Sequence, residues 1–324
     1  MVIQKIKTKL TPVRMPGGKS NALKYLDPYF IKDFAFYREP FFGGGSLGLY
    51  LMQFNKTADY WINDLFYPVY GFWKTLYDYP NEMIDCISYN KQQYIIDKLP
   101  QIKKGIPSRN AENGKELHKF CRRKIESSIY DKDEFHTACY WYILNKTSFS
   151  GMAMIGNYAP LAWDQNFTDN CIKNLINISN LMHSVKSLKI TNLDYSELLN
   201  DTNDNTFIVC DPPYDIKHNL YGNDGDMHRE FNHKKFADDI KNCKSPKWMI
   251  TYNDNEIINE WFKDYRCIPW NLQYTMKAAK RTTHGNLISE KKKLGQNPKL
   301  IQMSKDNSSE KTGKKGKELL ILNY

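Results

Sequence analysis

Thr206-Phe207-Ile208-Val209-Cys210-Asp211-Pro212-Pro213-Tyr214 decides the fold class. Five consecutive residues, mostly β-branched or aromatic, read as a buried strand, and two prolines stop it abruptly. In open α/β sheets ligands bind at the carboxyl ends of strands. The tetrapeptide at this strand end offers a carboxylate at Asp211, a backbone carbonyl at Pro212 stiffened by the rings, and an aromatic face at Tyr214. A planar ring bearing an NH2 group needs that set: two acceptors for its two N–H bonds and a surface to stack on. The competing reading is a Pro-Pro turn whose Asp caps nearby backbone.

Outward from that strand the pattern repeats. Phe34-Ala35-Phe36-Tyr37-Arg38-Glu39-Pro40 reads as a strand, and Leu49-Tyr50-Leu51-Met52 as a helix beyond the glycines that follow it. Tyr60-Trp61-Ile62 is a short strand ending on Asn63-Asp64, and Leu188-Lys189-Ile190-Thr191 and Trp248-Met249-Ile250-Thr251 are two more. Helical patterns run from Cys171 to Met182 and from Phe236 to Cys243. Arg266 to Tyr274 and Glu318 to Tyr324 complete about seven strands, and the alternation with helices predicts an α/β fold with a mostly parallel sheet.

Between Phe66 and Phe167 the alternation breaks into a Lys-, Tyr- and Asn-rich stretch of helical pattern. It reads as an inserted, mostly helical domain, 67–166, that divides a core domain of 1–66 plus 167–324. Residues 275–317 are polar, with Lys291-Lys292-Lys293 and Lys311-Thr312-Gly313-Lys314-Lys315-Gly316-Lys317. Such composition buries no core and predicts a long flexible loop before the last strand.

The totals exclude several classes. No apolar run approaches the roughly 18–20 residues that span a bilayer, and Met1-Val2-Ile3-Gln4-Lys5 lacks an apolar signal region, so neither a membrane span nor secretion is expected. Seven cysteines, an odd number without Cys-x-x-Cys spacing, read as free thiols of an intracellular, cytoplasmic protein with no zinc site. His228 and His233, the nearest histidine pair, lack the i,i+4 spacing of a helical metal pair, and no metal is expected. A net charge of +10 favours a polyanionic partner.

Phe42-Gly43-Gly44-Gly45-Ser46 lies between a strand and a helix, where glycines let the backbone approach a ligand at the helix N-terminus. Asp64, about 20 residues on, ends the next strand, where a carboxylate can accept both hydroxyls of a ribose. A tight glycine turn with no ligand is the alternative. Pro16-Gly17-Gly18-Lys19-Ser20 resembles the tail of a phosphate-binding loop, but Val13 stands where its first glycine belongs and no clear strand precedes it. An ATPase is therefore rejected, and Lys19 remains a cation available to a carboxylate or phosphate.

Five motifs occur in one order. Arg14-Met15-Pro16-Gly17-Gly18-Lys19, Glu39-Pro40-Phe41-Phe42-Gly43-Gly44-Gly45-Ser46, Asn63-Asp64, Asn145-Lys146-Thr147-Ser148-Phe149-Ser150-Gly151 and Asp211-Pro212-Pro213-Tyr214 follow the sequence of the Dam-type (D12 class) DNA adenine-N6 methyltransferases. The chain resembles that family over nearly its whole length, including Glu318-Leu319-Leu320-Ile321 in the last strand. The resemblance implies a Rossmann-like seven-stranded methyltransferase sheet in which the helical insertion is the target-recognition domain. It implies S-adenosyl-L-methionine as methyl donor, no metal, and an adenine flipped out of double-stranded DNA as acceptor.

By the same resemblance, Met15 and Lys19 lie against the donor, Phe42, Gly43 and Gly45 form its floor, Asp64 holds its ribose, and Asp194 and Tyr195 flank its adenine. Many relatives carry an aromatic where this chain has Met15. Asp211 touches donor and target: it and the Pro212 carbonyl accept the two N6 hydrogens, drawing the nitrogen lone pair toward the methyl group, while Tyr214 stacks on the extruded base. Arg14, Asn145, Lys146, Ser148 and Phe149 face the DNA. Arg14 suits a guanine edge. Phe149 is either a wedge beside the vacated base or a core side chain. Relatives that read GATC carry an arginine shortly after the Asn-to-Gly segment; Met152-Ala153-Met154-Ile155 has none, so GATC specificity does not follow.

Other readings share the strand end. Cytosine N4, an RNA adenine or a protein glutamine are also planar amines, but Asp in the first position leans toward adenine. A nuclease, with Asp211 joined by Asp215-Ile216-Lys217, lacks the separate strand pair such metal sites need. A DNA-binding protein without catalysis is disfavoured by the intact Asp64 and Asp211. A companion restriction enzyme and the oligomeric state are not legible.

Overall fold

The seven strands assemble in the order β3-β2-β1-β4-β5-β7-β6. They are β1 (Phe36–Glu39), β2 (Asp59–Asn63), β3 (Ser187–Thr191), β4 (Thr206–Cys210), β5 (Lys247–Asn253), β6 (Arg266–Gln273) and β7 (Lys315–Leu322). The computed structural model describes residues 10–98, 104–200, 202–214, 231–273 and 315–324. By contacts the chain divides into one unit of Met1–Trp270 with Lys317–Tyr324 and another of Asn271–Gly316. All but two residues of the second unit's 274–316 span lie outside the described residues, so the flexible loop expected at 275–317 falls there up to residue 314. Its last three residues belong to β7, which begins at Lys315 rather than Glu318.

β1 pairs in parallel with β2 on one side and β4 on the other, while β2 pairs with β3 and β4 with β5. Strand order therefore reverses between β1 and β4, and a crevice opens outside the carboxyl ends of the strands at such a switch point. β7 runs antiparallel to β5, with Glu318 opposite Asn253 and Leu320 opposite Thr251. β4 is buried along its whole length, as its unbroken apolar run requires. On one face Phe236, Ile240, Trp248, Tyr252 and Phe262 join Ile208 and Cys210 in a continuous core.

After the short α1 (Leu23–Leu26), α2 (Ser46–Leu51) leads from β1 toward β2. The segment between β2 and β3 is helical, as expected: α3 (Tyr67–Asp78), α4 (Pro80–Gln92), α5 (Arg109–Tyr130), α6 (Glu134–Thr147), α7 (Pro160–Asn166), α8 (Asp169–Lys173) and α9 (Leu175–His183). Ser108, Asp133 and Thr168 cap α5, α6 and α8 by accepting from backbone N–H groups two or three residues on. The helix read from Cys171 to Met182 is divided at Asn174, which keeps helical backbone angles, so hydrogen bonding is interrupted without a change of direction. α6 is buried on every side from Trp141 to Leu144, so it lies at the centre of this helical segment. These helices fall within the first unit together with most of the sheet. α10 (His233–Asn242) follows β4 and α11 (Glu256–Trp261) follows β5. No described helix is long and apolar enough to cross a membrane.

Candidate active site

Three carboxylates stand at the ends of three adjacent strands: Asp64 after β2, Glu39 at the end of β1 and Asp211 after β4. The strand ends are tied by Asn63, which is 1% exposed. Its amide donates to the carbonyls of Pro40 (3.1 Å) and Leu193 (2.9 Å), and its Oδ1 accepts from Thr191 Oγ1 (2.8 Å) and the Leu193 N–H (2.9 Å). All four bonding positions of that amide are filled, which fixes the floor of the crevice.

Asp211 is held by two neighbours. Lys19, only 2% exposed, lies 2.7 Å from Oδ1 and 2.9 Å from Oδ2, and the buried Thr251 donates to Oδ1 at 2.7 Å. The same ammonium bonds the Gly17 carbonyl at 2.9 Å and sits 4.7 Å from the centre of the Tyr214 ring. Tyr214 is stacked on Tyr252 (5.9 Å, 19°) and donates its hydroxyl to the buried Glu318 of β7. Pro212 is buried beneath this group. Asp211, Pro212, Tyr214 and Lys19 are thus brought together, although about 190 residues of sequence separate the first and last motif.

The glycine turn forms the adjoining wall. Gly45 has φ +71°, and a Cβ there would come within 2.8 Å of Trp73, so no other residue fits. Trp73 packs edge-on against Phe42 (4.9 Å) and donates its indole N–H to the Gly43 carbonyl at 2.8 Å. Met15 lies against Gly44, within 3.3 Å of where a Cβ would be. Asp64 accepts from the Gly43 N–H (2.8 Å) and the Phe66 N–H (2.9 Å). Burial raises its carboxyl to about 6, against the lowering effect of those two bonds. Burial also pushes Glu39 well above the usual carboxylate range, with bonds from Tyr37 and the Gly48 N–H pulling the other way and the Asp211 and Asp64 charges adding to the rise.

Asp194 and Tyr195 lie on the β3 side. Asp194 is exposed and caps the following turn by accepting from Ser196. Tyr195 stacks on Phe41 (5.6 Å, 30°) and donates its hydroxyl to Asp239 at 2.7 Å.

The fourth motif begins at the C-terminus of α6 and folds back on the N-terminal segment. Asn145 accepts from the Arg14 N–H (2.9 Å) and donates to the carbonyls of Arg14 (2.7 Å) and Gly151 (2.9 Å). Gly151 is required for that approach, since a Cβ there would stand 2.3 Å from the Arg14 carbonyl. Arg14 Nη1 and Ser148 Oγ are buried without a hydrogen-bond partner among the described residues. Lys146 is 7% exposed and forms no ion pair there; burial lowers its ammonium to about 8, the Cys171 thiol acts against that, and the Arg14 charge adds to the lowering. Burial also lowers the Arg14 guanidinium. Phe149 is 39% exposed, which decides against the core alternative.

Sequence reading missed Thr251, Asn63's bridging role, Glu318 as partner of Tyr214, and Trp73. Thr251 carried a signal, a hydroxyl closing an apolar strand. Trp73 carried none, since a partner 30 residues from Gly43 is indistinguishable from a core tryptophan. Asp215-Ile216-Lys217 lie outside the described residues, and among the described residues no group of three or more His, Cys, Asp or Glu is placed to hold a metal ion.

With this geometry in hand, comparison with known proteins is specific. Residues 16–276 match the D12 class of N6 adenine-specific DNA methyltransferases. The Type II methyltransferase M.MjaIII of Methanocaldococcus jannaschii is 25% identical over 220 residues, covering 62% of this chain and 68% of the relative. The Type II methyltransferase M1.LlaDCHI of Lactococcus lactis subsp. cremoris is 23% identical over 219 residues, covering 66% and 69%.

Proposed function

The chain belongs to the D12 class N6 adenine-specific DNA methyltransferase family, and we propose that Asp211, Pro212 and Tyr214 carry its reaction at the crevice between β1 and β4. It is an adenine-specific DNA methyltransferase; the family implies S-adenosylmethionine as donor and an adenine turned out of the helix as acceptor. Because both relatives are Type II methyltransferases, we assign this chain to the same restriction-modification setting.

The observation that carries the residue assignment is the meeting of Lys19, from the N-terminal motif, with Asp211 and Tyr214 of the Asp-Pro-Pro-Tyr motif at the switch point. Asp211 accepts one N6 hydrogen and the Pro212 carbonyl the other, and Tyr214 receives the base on its face. The N6 lone pair is thereby directed at the methyl group, and the proton that the nitrogen loses on transfer leaves toward the Asp211 carboxylate. The donor, when bound, supplies an already electrophilic methyl group, so positioning accounts for much of the rate.

The crevice fits such a donor. A Cβ at Gly43 would meet nothing within 4 Å, so space is open over the turn, and the Asp64 carboxylate lies against that turn. In this reading Asp64 accepts the ribose hydroxyls, Phe42, Gly43 and Gly45 form the floor, Met15 and Lys19 line the N-terminal side, and Asp194 and Tyr195 flank the adenine. The helical insertion, taken as 67–166, is the target-recognition domain, with Arg14, Asn145, Lys146, Ser148 and Phe149 facing double-stranded DNA. The buried Lys146 and the half-buried Arg14, whose Nη1 has no hydrogen-bond partner among the described residues, support this, because neither has an acidic partner there.

The test is Asp211→Ala, assayed with labelled donor on duplex DNA. Transfer should fall on the order of a hundred-fold or more while donor binding persists. Native-like turnover by this variant would refute the assignment.

A further inference from the structure

Resting on the reading of Asp211 as acceptor of the target amine, we propose that Thr251 is a positioning residue for methyl transfer: its hydroxyl orients the Asp211 carboxylate so that one lone pair, on Oδ2, remains to receive the adenine N6 hydrogen. A carboxylate offers about four lone-pair sites. On Oδ1, Thr251 Oγ1 donates at 2.7 Å and the Lys19 ammonium stands at the same distance, which leaves little room on that oxygen. Among the described residues, Oδ2 takes only the Lys19 hydrogen bond, at 2.9 Å. The open position is therefore on Oδ2.

Lys19 cannot make this choice alone. Its ammonium stands within 3 Å of both oxygens, so a carboxylate turned over about its own axis would satisfy it equally. Thr251 distinguishes the two oxygens. It lies on β5 one position beyond the Cys210–Ile250 pair, level with Asp211 on the neighbouring strand. On its other side it is opposite Leu320 of β7, and it is fully buried. A β-branched side chain locked between two strands keeps one rotamer. Its hydroxyl has a carboxylate oxygen as acceptor, so it donates, and the Asp211 plane is set from a rigid sheet.

The proposal predicts an effect on the rate of transfer and not on binding. Thr251→Val keeps the shape of the side chain and removes the donor; Thr251→Ser keeps the donor and removes a methyl group. In single-turnover assays with duplex DNA and labelled S-adenosylmethionine, Thr251→Val should slow transfer roughly 10- to 100-fold, and Thr251→Ser should restore it to within about threefold of native. Calorimetric donor affinity and the fluorescence rise of 2-aminopurine at the target position should be native in both. Equal slowing by Val and Ser would mean a packing role and would overturn the proposal, as would a Val variant as fast as the native enzyme or one whose donor affinity falls in step with its rate. Asp211→Asn separates the two levels of the argument. If it transfers methyl groups at the native rate, the reading of Asp211 fails and this inference with it; if it is inactive while Thr251→Val is native, only the role of Thr251 is refuted.

Discussion

Asp64→Asn probes the donor side of the crevice, because two opposing effects can be worked out for it. In the free protein the carboxyl is raised from 3.8 to about 6. The shift corresponds to a cost of roughly 3 kcal/mol for keeping the group ionised at neutral pH, and partial exposure reduces that to about 1–2 kcal/mol. The sign follows from the direction: a raised carboxyl costs stability in full above about pH 6, and the cost fades as pH falls toward 4. Asparagine removes the cost but keeps one acceptor where the carboxylate had two, so either the Gly43 or the Phe66 N–H loses its partner, at about 1 kcal/mol. The two nearly cancel. The free variant should melt within a few degrees of native, while donor binding should weaken by about 1.5–3 kcal/mol, the worth of a hydrogen bond to a charged group.

The native protein makes a second, sharper prediction. If ionised Asp64 receives the ribose hydroxyls, log donor affinity should fall with unit slope as pH drops below about 6. Asp64→Asn should remove that dependence and leave a flat profile between pH 5 and 7. Calorimetric titration of S-adenosylmethionine over this range measures both. Native affinity that is level from pH 5 to 7, or an Asn variant that binds as tightly as native at pH 7, would refute the assignment.

Arg14→Ala should relax discrimination at one base pair by roughly 1–3 kcal/mol, scored by competition among duplexes that differ at single positions; uniform weakening on all of them would make Arg14 a phosphate contact. Lys146 titrates near pH 8 in the free protein, so an anion beside it should draw in up to about half a proton on DNA binding at that pH, read from calorimetry in buffers of different ionisation enthalpy, and Lys146→Met should abolish the uptake. Phe149→Ala should reduce the 2-aminopurine signal at the target while leaving donor affinity native. Removing Lys291 to Lys314, which lie outside the described residues and stop short of β7, should weaken binding to all sequences alike and make the salt slope shallower by roughly one per lost phosphate contact.

What the sequence made legible was what local chemistry controls. The strand 206–210 is found at its expected limits because an apolar run with prolines behind it has little freedom. Strand ends at β1, β2 and β5 moved by one or two residues, since pairing partners and not propensity set where a ladder stops. The crevice depends on a fact that no motif contains, that β4 returns beside β1. Thr251 and Glu318 reach Asp211 and Tyr214 only through that topology and the antiparallel entry of β7. Lys19 was legible as a free cation but not as Asp211's partner, for a pairing across 192 positions leaves no periodic trace.

The two halves of the site are built on opposite electrostatic terms. At the donor side acids crowd together: Asp64 and Glu39 are raised by burial, and Lys19 partly offsets the charge of Asp211. On the side assigned above to DNA, Arg14 and Lys146 are lowered by burial, and Ser148 Oγ has no hydrogen-bond partner among the described residues. On the proposed assignments, a cationic donor at one side and a polyanion at the other would relieve the costs of that burial. Asn145 joins the two, because its side chain clamps the backbone of Arg14, five residues before Lys19. The Asn145 clamp on Arg14 and the bond from Lys19 to Asp211 therefore lie on one short segment.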